Sequence, residues 1–100
     1  MYTQQELVDE LTPIFMKYPI KRAALFGSFA RGEQTDESDL DILVELDYTN
    51  GIAGLFYAFW DELEDVIGLS TDVVTVDSLS TTPKKFQERV LREMRYIYEV

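Results

Sequence analysis

Hydrophobic positions near the N-terminus follow the spacing of an amphipathic helix. They recur every three or four residues, at Leu7, Leu11, Ile14, Phe15 and Tyr18. This spacing predicts a helix from Thr3 to Tyr18. Thr3 and Glu6 have the spacing of a capping box, which would satisfy two backbone N–H groups at the start of the helix. Because Pro13 lacks an N–H, we expect it to kink the helix or to restart it with Thr12 as a second cap.

Three shorter segments predict strands. Residues 23–26 form an apolar run that stops at Gly27, which is typical of a buried strand entering a tight turn. Residues 40–46 alternate between an apolar face and a mostly polar face. The mostly polar face carries Asp39, Asp41, Leu43 and Glu45. Of these, Glu45 is expected to be solvated. A third strand is predicted over residues 72–76.

Two further long helices are predicted in the second half of the chain. The first runs from Ile52 to Ile67, with its apolar residues on one arc. The second begins with Thr82 as a cap and Pro83 in the first helical position. It is expected to bury Phe86, Val90, Leu91, Met94, Ile97 and Tyr98. Its other face carries Lys85, Arg89, Arg92 and Arg95, which we expect to be solvated or to contact a partner.

The order of these elements is helix, strand, turn, strand, helix, strand, helix. It predicts an α/β (α+β) fold with a small mixed sheet of about three strands flanked by about four helices. At this length, residues 1–100 are expected to form one domain.

Composition and charge exclude several classes of protein. The 100 residues contain no cysteine and no histidine, which excludes disulfide frameworks, thiol catalysis and Ser-His-Asp triads. The formal net charge of −10 at pH 7 argues against direct binding of nucleic acid by a broad basic surface. Since no apolar run is long enough for a membrane span and the N-terminus is acidic, we expect a cytoplasmic protein with no membrane partner.

The turn after the first strand is a candidate phosphate-binding site. Gly27 permits a backbone path that a Cβ would forbid, and Ser28 offers a hydroxyl at the start of a short helix. Free N–H groups at such a turn attract anions. Arg31 is a candidate to bind a phosphate in bidentate fashion, and the alternative for it is a salt bridge to nearby acids.

Paired aspartates follow the turn and suggest a metal site. Asp39 and Asp41 are two residues apart at the start of a strand, so both project from one face. Two carboxylates there repel each other, and Mg²⁺ or Mn²⁺ would remove that conflict. Asp72 can join them if its strand lies beside residues 40–46; it is otherwise a residue that begins or caps a strand. The simpler alternative for Asp39 and Asp41 is a solvated strand face.

Together these motifs resemble a known family. Gly-Ser-x-Ala-Arg-Gly at residues 27–32, followed by Ser-Asp-Leu-Asp at residues 38–41, resembles the minimal nucleotidyltransferase (MNT) domain of the polymerase-β-like nucleotidyltransferase superfamily. The resemblance covers essentially the whole chain and implies transfer of a nucleotide, with ATP or another NTP as substrate and two Mg²⁺ ions. It implies that Gly27 and Ser28 bind the triphosphate. It also implies catalytic, metal-binding roles for the acidic residues Asp39, Asp41 and Asp72.

The resemblance also implies a partner. MNT domains of this size are often antitoxins of HEPN-domain toxins, which are helical RNases. They neutralise the toxin by forming a complex, by transferring AMP to one of its side chains, or by both. A non-catalytic antitoxin that binds and occludes its toxin is therefore the alternative function.

One departure from the family is that residues 33–37 contain no basic residue, where many members carry one.

A phosphoacceptor domain is a third hypothesis. Such domains also combine paired carboxylates with Mg²⁺, but there the acids follow an apolar strand. Here Asp39 and Asp41 precede the apolar residues 42–44, which argues against this class.

Overall fold

The computed structural model of the chain describes residues 2–50 and 54–100. Within those residues, one sheet contains β1 (Ile20–Phe26), β2 (Leu40–Leu46), β3 (Thr71–Thr75) and β4 (Arg95–Glu99). The α-helices are α1 (Gln4–Lys17), α2 (Gly27–Arg31), α3 (Phe56–Ile67), α4 (Val76–Leu79) and α5 (Lys84–Glu93), and a 3₁₀ helix spans Tyr48–Asn50. No helix in this part of the chain is long and apolar enough to cross a membrane.

The strands lie in the order β3-β2-β1-β4. β1 pairs antiparallel with both β2 and β4, whereas β2 and β3 are parallel and α3 forms the crossover between them. The predicted mixed sheet and α/β fold are therefore confirmed, although the described sheet has one strand more than expected. This topology places the end of β1 and the beginnings of β2 and β3 at the same edge of the sheet, with β2 between the other two strands.

The additional strand corrects the prediction for the C-terminus. The last helix ends at Glu93, because Met94 is extended (φ −62°, ψ 144°), and residues 95–99 pair with β1 as a strand. Aromatic and β-branched residues suit this edge position, where Tyr98 packs on Phe15 with ring centroids 5.3 Å apart. Leu91, predicted to be buried, is 56% exposed.

The N-terminal helix confirms the capping box and corrects the predicted restart at Thr12. Thr3 N donates to Glu6 Oε1 at 3.0 Å, and Glu6 N donates to Thr3 Oγ1 at 3.1 Å. α1 continues through Pro13, and Thr12 does not cap a new helix but donates to Val8 O at 2.6 Å. The helix tolerates the lost hydrogen bond because its apolar face is buried in the core by Leu7, Leu11, Ile14 and Phe15.

Other helix boundaries differ by a few residues. α3 begins at Phe56, and the predicted start at Ile52 lies outside the described residues. α5 begins at Lys84, with Pro83 as its N-cap rather than Thr82. α4 was not predicted; it starts with a capping box between Thr75 and Ser78.

β2 has two buried faces, each packed against a different core. Leu40, Ile42, Val44 and Leu46 belong to the larger core, which also contains the buried residues of α1 and α3. Leu43 belongs to a smaller core with Phe26, Leu79 and Val90. Because side chains alternate along a strand, Asp41 lies on the Leu43 face, which α4 and α5 cover.

Glu45 shares that face and corrects another prediction. Rather than being only solvated, it accepts a hydrogen bond from Arg22 Nε at 2.7 Å and forms an ion pair with Arg22 Nη2 at 2.6 Å. The cause is the register of β1 and β2, which places Arg22 directly opposite Glu45.

Candidate active site at the Gly27 turn

The register of the sheet brings two of the predicted site residues side by side. Asp41 lies opposite Phe26 on one neighbouring strand and opposite Asp72 on the other. Neighbouring strands are about 4.8 Å apart, and residues in register present their side chains to the same face. The parallel pairing of β2 with β3 therefore places Asp72 next to Asp41, an outcome that the sequence left open.

Asp41 has a strongly perturbed pKa. Burial of its carboxyl group, together with the negative charges of Asp72 and Asp39, raises the pKa of Asp41 to about 6. The positive charges of Arg89 and Arg31 act in the opposite direction. Asp39 and Asp72 themselves are exposed. A partly buried carboxyl group beside two others is stabilised in its charged form by a nearby cation.

The aspartates do not form a complete metal site by themselves. In residues 2–50 and 54–100, no group of three acidic side chains is arranged to hold a metal ion. Asp39, Asp41 and Asp72 thus interact electrostatically without being a closed set of ligands. Their oxygens still suit Mg²⁺ or Mn²⁺, which commonly take one or two carboxylates and complete their coordination with substrate phosphates and water. The donor set fits a metal ion that binds together with a nucleotide.

Gly27 is required by the turn for two reasons. Its φ of +73° lies in the left-handed region that favours glycine, and it directly follows β1. A Cβ at this position would lie 2.1 Å from Asp41 Oδ2, which is closer than atoms can approach. The missing side chain therefore lets the backbone of the turn come up against the Asp41 carboxylate.

Ser28 and Arg31 lie on the short helix that follows. Ser28 is partly buried in the first turn of α2, which begins at Gly27. Arg31 Nε donates to Glu33 Oε1 at 2.6 Å, and Arg31 Nη1 donates to Glu93 Oε2 at 3.0 Å. The salt-bridge alternative for Arg31 is thus what the structure contains, and a phosphate contact stays a prediction.

A cavity of about 270 Å³ is lined by Asp41 and Asp72. Its lining also includes Arg89 and the aromatic residues Phe26, Trp60 and Phe86. The Arg89 guanidinium lies 5.8 Å from the centre of the Phe86 ring. Arg89 was expected only on a solvated or partner-binding helix face, yet its position supplies a positive charge near the aspartates that residues 33–37 do not provide.

Glu93 is a site residue that the sequence analysis missed. Its Oε2 accepts a hydrogen bond from Gly27 N at 3.3 Å, and its side chain is only 14% exposed. The available signal was the i,i+4 spacing of Arg89 and Glu93, which places them on one helix face. That spacing does not reveal that the face docks against the Gly27 turn.

A second, more open cavity of about 420 Å³ shares Asp72 and Trp60 with the first. Its other lining residues are Tyr57, Asp61, Glu64, Ser70 and Thr71. Tyr57 is 76% exposed. Asp72 therefore stands between an aromatic cavity that contains Arg89 and an acidic, open one.

Another cavity of about 280 Å³ lies away from these residues. Its lining is Tyr2, Glu6, Phe29, Thr35, Asp36 and Leu69, and it contains none of the predicted site residues. Size alone thus does not distinguish the cavities. The raised pKa of Asp41 and the nearby positive charge of Arg89 favour the cavity at Asp41 as the functional one.

Solved structures place this fold among the nucleotidyltransferases. A minimal nucleotidyltransferase candidate of known structure is 29% identical and matches with a TM-score of 0.69 over 91% of this chain and 89% of that one. The MNT antitoxin crystallised with a tri-AMPylated HEPN toxin of Shewanella oneidensis matches with a TM-score of 0.66. At 15% identity over 98% of this chain and 74% of that one, the second match shows the fold alone.

The chain belongs to the polymerase-β nucleotidyltransferase family, whose profile matches residues 9–100. Among curated relatives, MJ0435 of Methanocaldococcus jannaschii, a candidate protein adenylyltransferase, is 40% identical over 88% of this chain and 90% of its own length. The protein adenylyltransferase MntA of Thermococcus cleftensis is 32% identical over 97% of this chain and 98% of its own. The predicted resemblance to this family is thereby confirmed, and the chain is a nucleotidyltransferase.

Proposed function

We propose that the chain transfers AMP from ATP to a hydroxyl group of a partner protein and thereby acts as the antitoxin of a HEPN-type RNase toxin. The observation that carries this proposal is the placement of Asp41 and Asp72 beside the Gly27 turn, with Asp39 acting on the same charge. The names of the two curated relatives support protein adenylylation as the reaction.

In this proposal, one set of residues binds the nucleotide and another binds the acceptor hydroxyl group. In the proposal, the triphosphate lies against the Gly27 N–H, the Ser28 hydroxyl and the Arg31 guanidinium. The aromatic cavity over Asp41 receives the rest of the nucleotide, with Arg89 near its phosphates. The open acidic cavity on the other side of Asp72 receives the acceptor, because positively charged segments of a partner suit its acidic lining.

The reaction is an in-line displacement at the α-phosphorus. The acceptor oxygen forms a bond to that phosphorus, the bond from the phosphorus to the bridging oxygen breaks, and pyrophosphate leaves. In the proposal, Asp72 takes the proton of the acceptor hydroxyl because it faces both cavities. The Gly27 turn and Arg31 hold the departing phosphates in place.

A divalent ion completes this arrangement. When bound by Asp39, Asp41 and Asp72 together with phosphate oxygens, Mg²⁺ or Mn²⁺ would neutralise charge on the triphosphate and make the acceptor hydroxyl more acidic. The raised pKa of Asp41, caused by burial and its acidic neighbours, supports a need for such an ion. The ion and ATP are thus the cofactor and substrate of the proposed reaction.

Net charge supports the proposed partner. An RNase must attract RNA, and a chain with a formal net charge of −10 is attracted to the same kind of basic surface. A chain of this fold occurs in the solved complex of a HEPN toxin with an MNT antitoxin, which supports the proposed pairing. No direct contact with nucleic acid is expected, and a cytoplasmic location is part of the proposal.

The test is transfer of label from α-labelled ATP to a HEPN toxin encoded beside this chain. The purified toxin is incubated with ATP, Mg²⁺ and either the wild-type chain or Asp39→Asn/Asp41→Asn. We expect label and a mass increase of one AMP unit on the toxin with wild type only. Asp9→Asn/Asp65→Asn is the matched control, because it removes the same charge at two exposed helical positions.

Toxin neutralisation in cells separates the catalytic proposal from its alternative. If the Asp39→Asn/Asp41→Asn variant forms the complex but no longer neutralises the toxin, AMP transfer is the function. If it neutralises as well as wild type, inhibition by binding and occlusion replaces the catalytic proposal. If wild type and variant both fail to label the toxin, AMP transfer to this partner is refuted.

A further inference from the structure

A carboxylate of the chain itself is bound to the Gly27 turn. Glu93 Oε2 accepts from Gly27 N at 3.3 Å and from Arg31 Nη1 at 3.0 Å, while Glu93 Oε1 accepts from Arg31 Nη1 at 3.1 Å. Arg89 approaches the same carboxylate, with its Nε 3.9 Å from Glu93 Oε1. One backbone donor and two guanidinium groups therefore converge on one anionic side chain.

These groups are the ones that a triphosphate needs in the proposed function. The Gly27 N–H lies in the turn assigned to the triphosphate, Arg31 is the candidate phosphate ligand, and Arg89 lines the nucleotide cavity. A carboxylate and a phosphate oxygen are both anionic acceptors for N–H donors, so they compete for the same positions. Glu93 also brings a fourth negative charge to a region that already contains Asp39, Asp41 and Asp72.

We infer that the Glu93 carboxylate occupies the position of a nucleotide phosphate in the free protein and must be displaced from Gly27 and Arg31 when ATP binds. This inference rests on the proposed function, since it concerns the same nucleotide site. Glu93 thus competes with the triphosphate for the Gly27 N–H and the Arg31 guanidinium. The ion pair between Arg31 and Glu93 would therefore affect nucleotide binding as well as stability.

The structure offers a matched control for Glu93. Glu33 also binds Arg31, through Nε at 2.6 Å, but the Gly27 N–H donates to Glu93 and not to Glu33, whose side chain is 65% exposed. Glu93→Gln and Glu33→Gln each remove one negative charge from a partner of Arg31. Only the first removes it from the anion position at the turn.

The experiment measures ATP binding by calorimetry in the presence of Mg²⁺ and without toxin. We expect Glu93→Gln to bind ATP about threefold to tenfold more tightly than wild type, because one competing ion pair is removed. Glu33→Gln should change the Kd less than about twofold. Adenosine, which has no phosphate, should bind both variants and wild type alike.

A second measurement does not depend on a variant that folds. In wild type labelled for NMR, saturating ATP should shift the side-chain carboxyl resonance of Glu93 together with the amide resonance of Gly27. The Glu33 carboxyl resonance should move much less. A Glu93 resonance that stays unchanged while ATP binds would overturn the inference.

The outcomes distinguish this inference from the proposed function. If wild type binds ATP and Glu93→Gln binds it equally or more weakly, the competition is refuted and the proposed function stands. An equal gain in Glu33→Gln would refute it as well, because net charge rather than position would then be responsible. If neither wild type nor Glu93→Gln binds ATP, both the inference and the proposed function fail.

Discussion

The two ends of β2 place carboxylates in opposite electrostatic surroundings. At the start of the strand, Asp41 faces Asp72 and lies near Asp39, and burial with these neighbours raises its pKa to about 6. At the other end, Glu45 faces Arg22 on β1, and Arg22 Nη2 lies 2.6 Å from Glu45 Oε1. The two residues share one face of one strand and differ in what the neighbouring strands place opposite them.

The difference teaches which acidic residues are structural. A carboxylate with a cation opposite it stabilises the sheet, and nothing further is needed to explain it. A partly buried carboxylate beside two others destabilises the free protein, which is typical of sites that bind a cation or carry out chemistry. We therefore expect substitutions at the two ends of β2 to have different effects. Four measurements test this expectation, beginning with the largest effect.

The first prediction compares AMP transfer by Asp41→Asn and Glu45→Gln. Each variant replaces a carboxylate of β2 with the matching amide. We expect transfer to fall about a thousandfold in Asp41→Asn, because loss of this proposed metal ligand would remove several kcal/mol of transition-state stabilisation. In Glu45→Gln it should stay within about twofold. Initial rates with labelled ATP give both numbers, and comparable losses would place the catalytic site elsewhere.

The second prediction breaks the functional end through the backbone. Gly27 and Gly68 have nearly the same φ, +73° and +74°, but a Cβ at Gly27 meets Asp41 Oδ2 at 2.1 Å whereas one at Gly68 meets nothing within 4 Å. Gly68→Ala should cost about 1 kcal/mol of unfolding free energy through its positive φ alone. Gly27→Ala should cost about 3 kcal/mol, since Asp41 must also move. Equal losses in urea unfolding would show that the close approach is unimportant.

The candidate site at the start of β2 could be proposed from the sequence largely because its signals are local. Gly27 and Ser28 are adjacent in the sequence, and Asp39 and Asp41 are two residues apart in the segment that follows. The position of Asp72 next to Asp41 is not local, because it depends on which strand pairs with β2. That pairing is fixed by the crossover through α3, which no local pattern specifies.

What could not be predicted depends on how α5 docks and where it ends. The apolar spacing of residues 86–98 fits a continuous helix, but pairing with the free edge of β1 makes residues 95–99 a strand. The same docking turns Glu93 and Arg89 toward the Gly27 turn. The pairing of Arg22 with Glu45 could not be predicted either. It depends on the register between β1 and β2 and not on spacing within one strand.

The third prediction concerns pH and stability in the absence of divalent ions. The pKa of Asp41 is about 6 in the folded protein against 3.8 for an ordinary aspartate, so the folded state binds the proton more tightly. Stability from this group is therefore greatest below about pH 4 and is lost as the pH rises through 6. Replacing Asp41 with Asn removes that loss.

We thus expect Asp41→Asn to be more stable than wild type by about 1–2 kcal/mol at about pH 8 in EDTA, after allowance for solvent screening. The advantage should vanish near pH 4. Comparing the two pH values cancels any change in packing caused by the amide. A stability difference that does not depend on pH would contradict the perturbed titration of Asp41.

The last and smallest effect concerns the signs of the couplings at the two ends of β2. For Arg22 and Glu45, a double-mutant cycle with Arg22→Gln and Glu45→Gln should give a stabilising coupling of about 2 °C in the unfolding midpoint, because both side chains are partly exposed. For Asp41 and Asp72, a cycle with both changed to Asn should give a coupling of the opposite sign, because each substitution relieves the same repulsion. Salt should weaken both couplings, and Mg²⁺ should weaken only the second. Couplings of the same sign at both ends would mean that Asp41 and Asp72 are not held in conflict, and the need for a cation at the Gly27 turn would lose its physical basis.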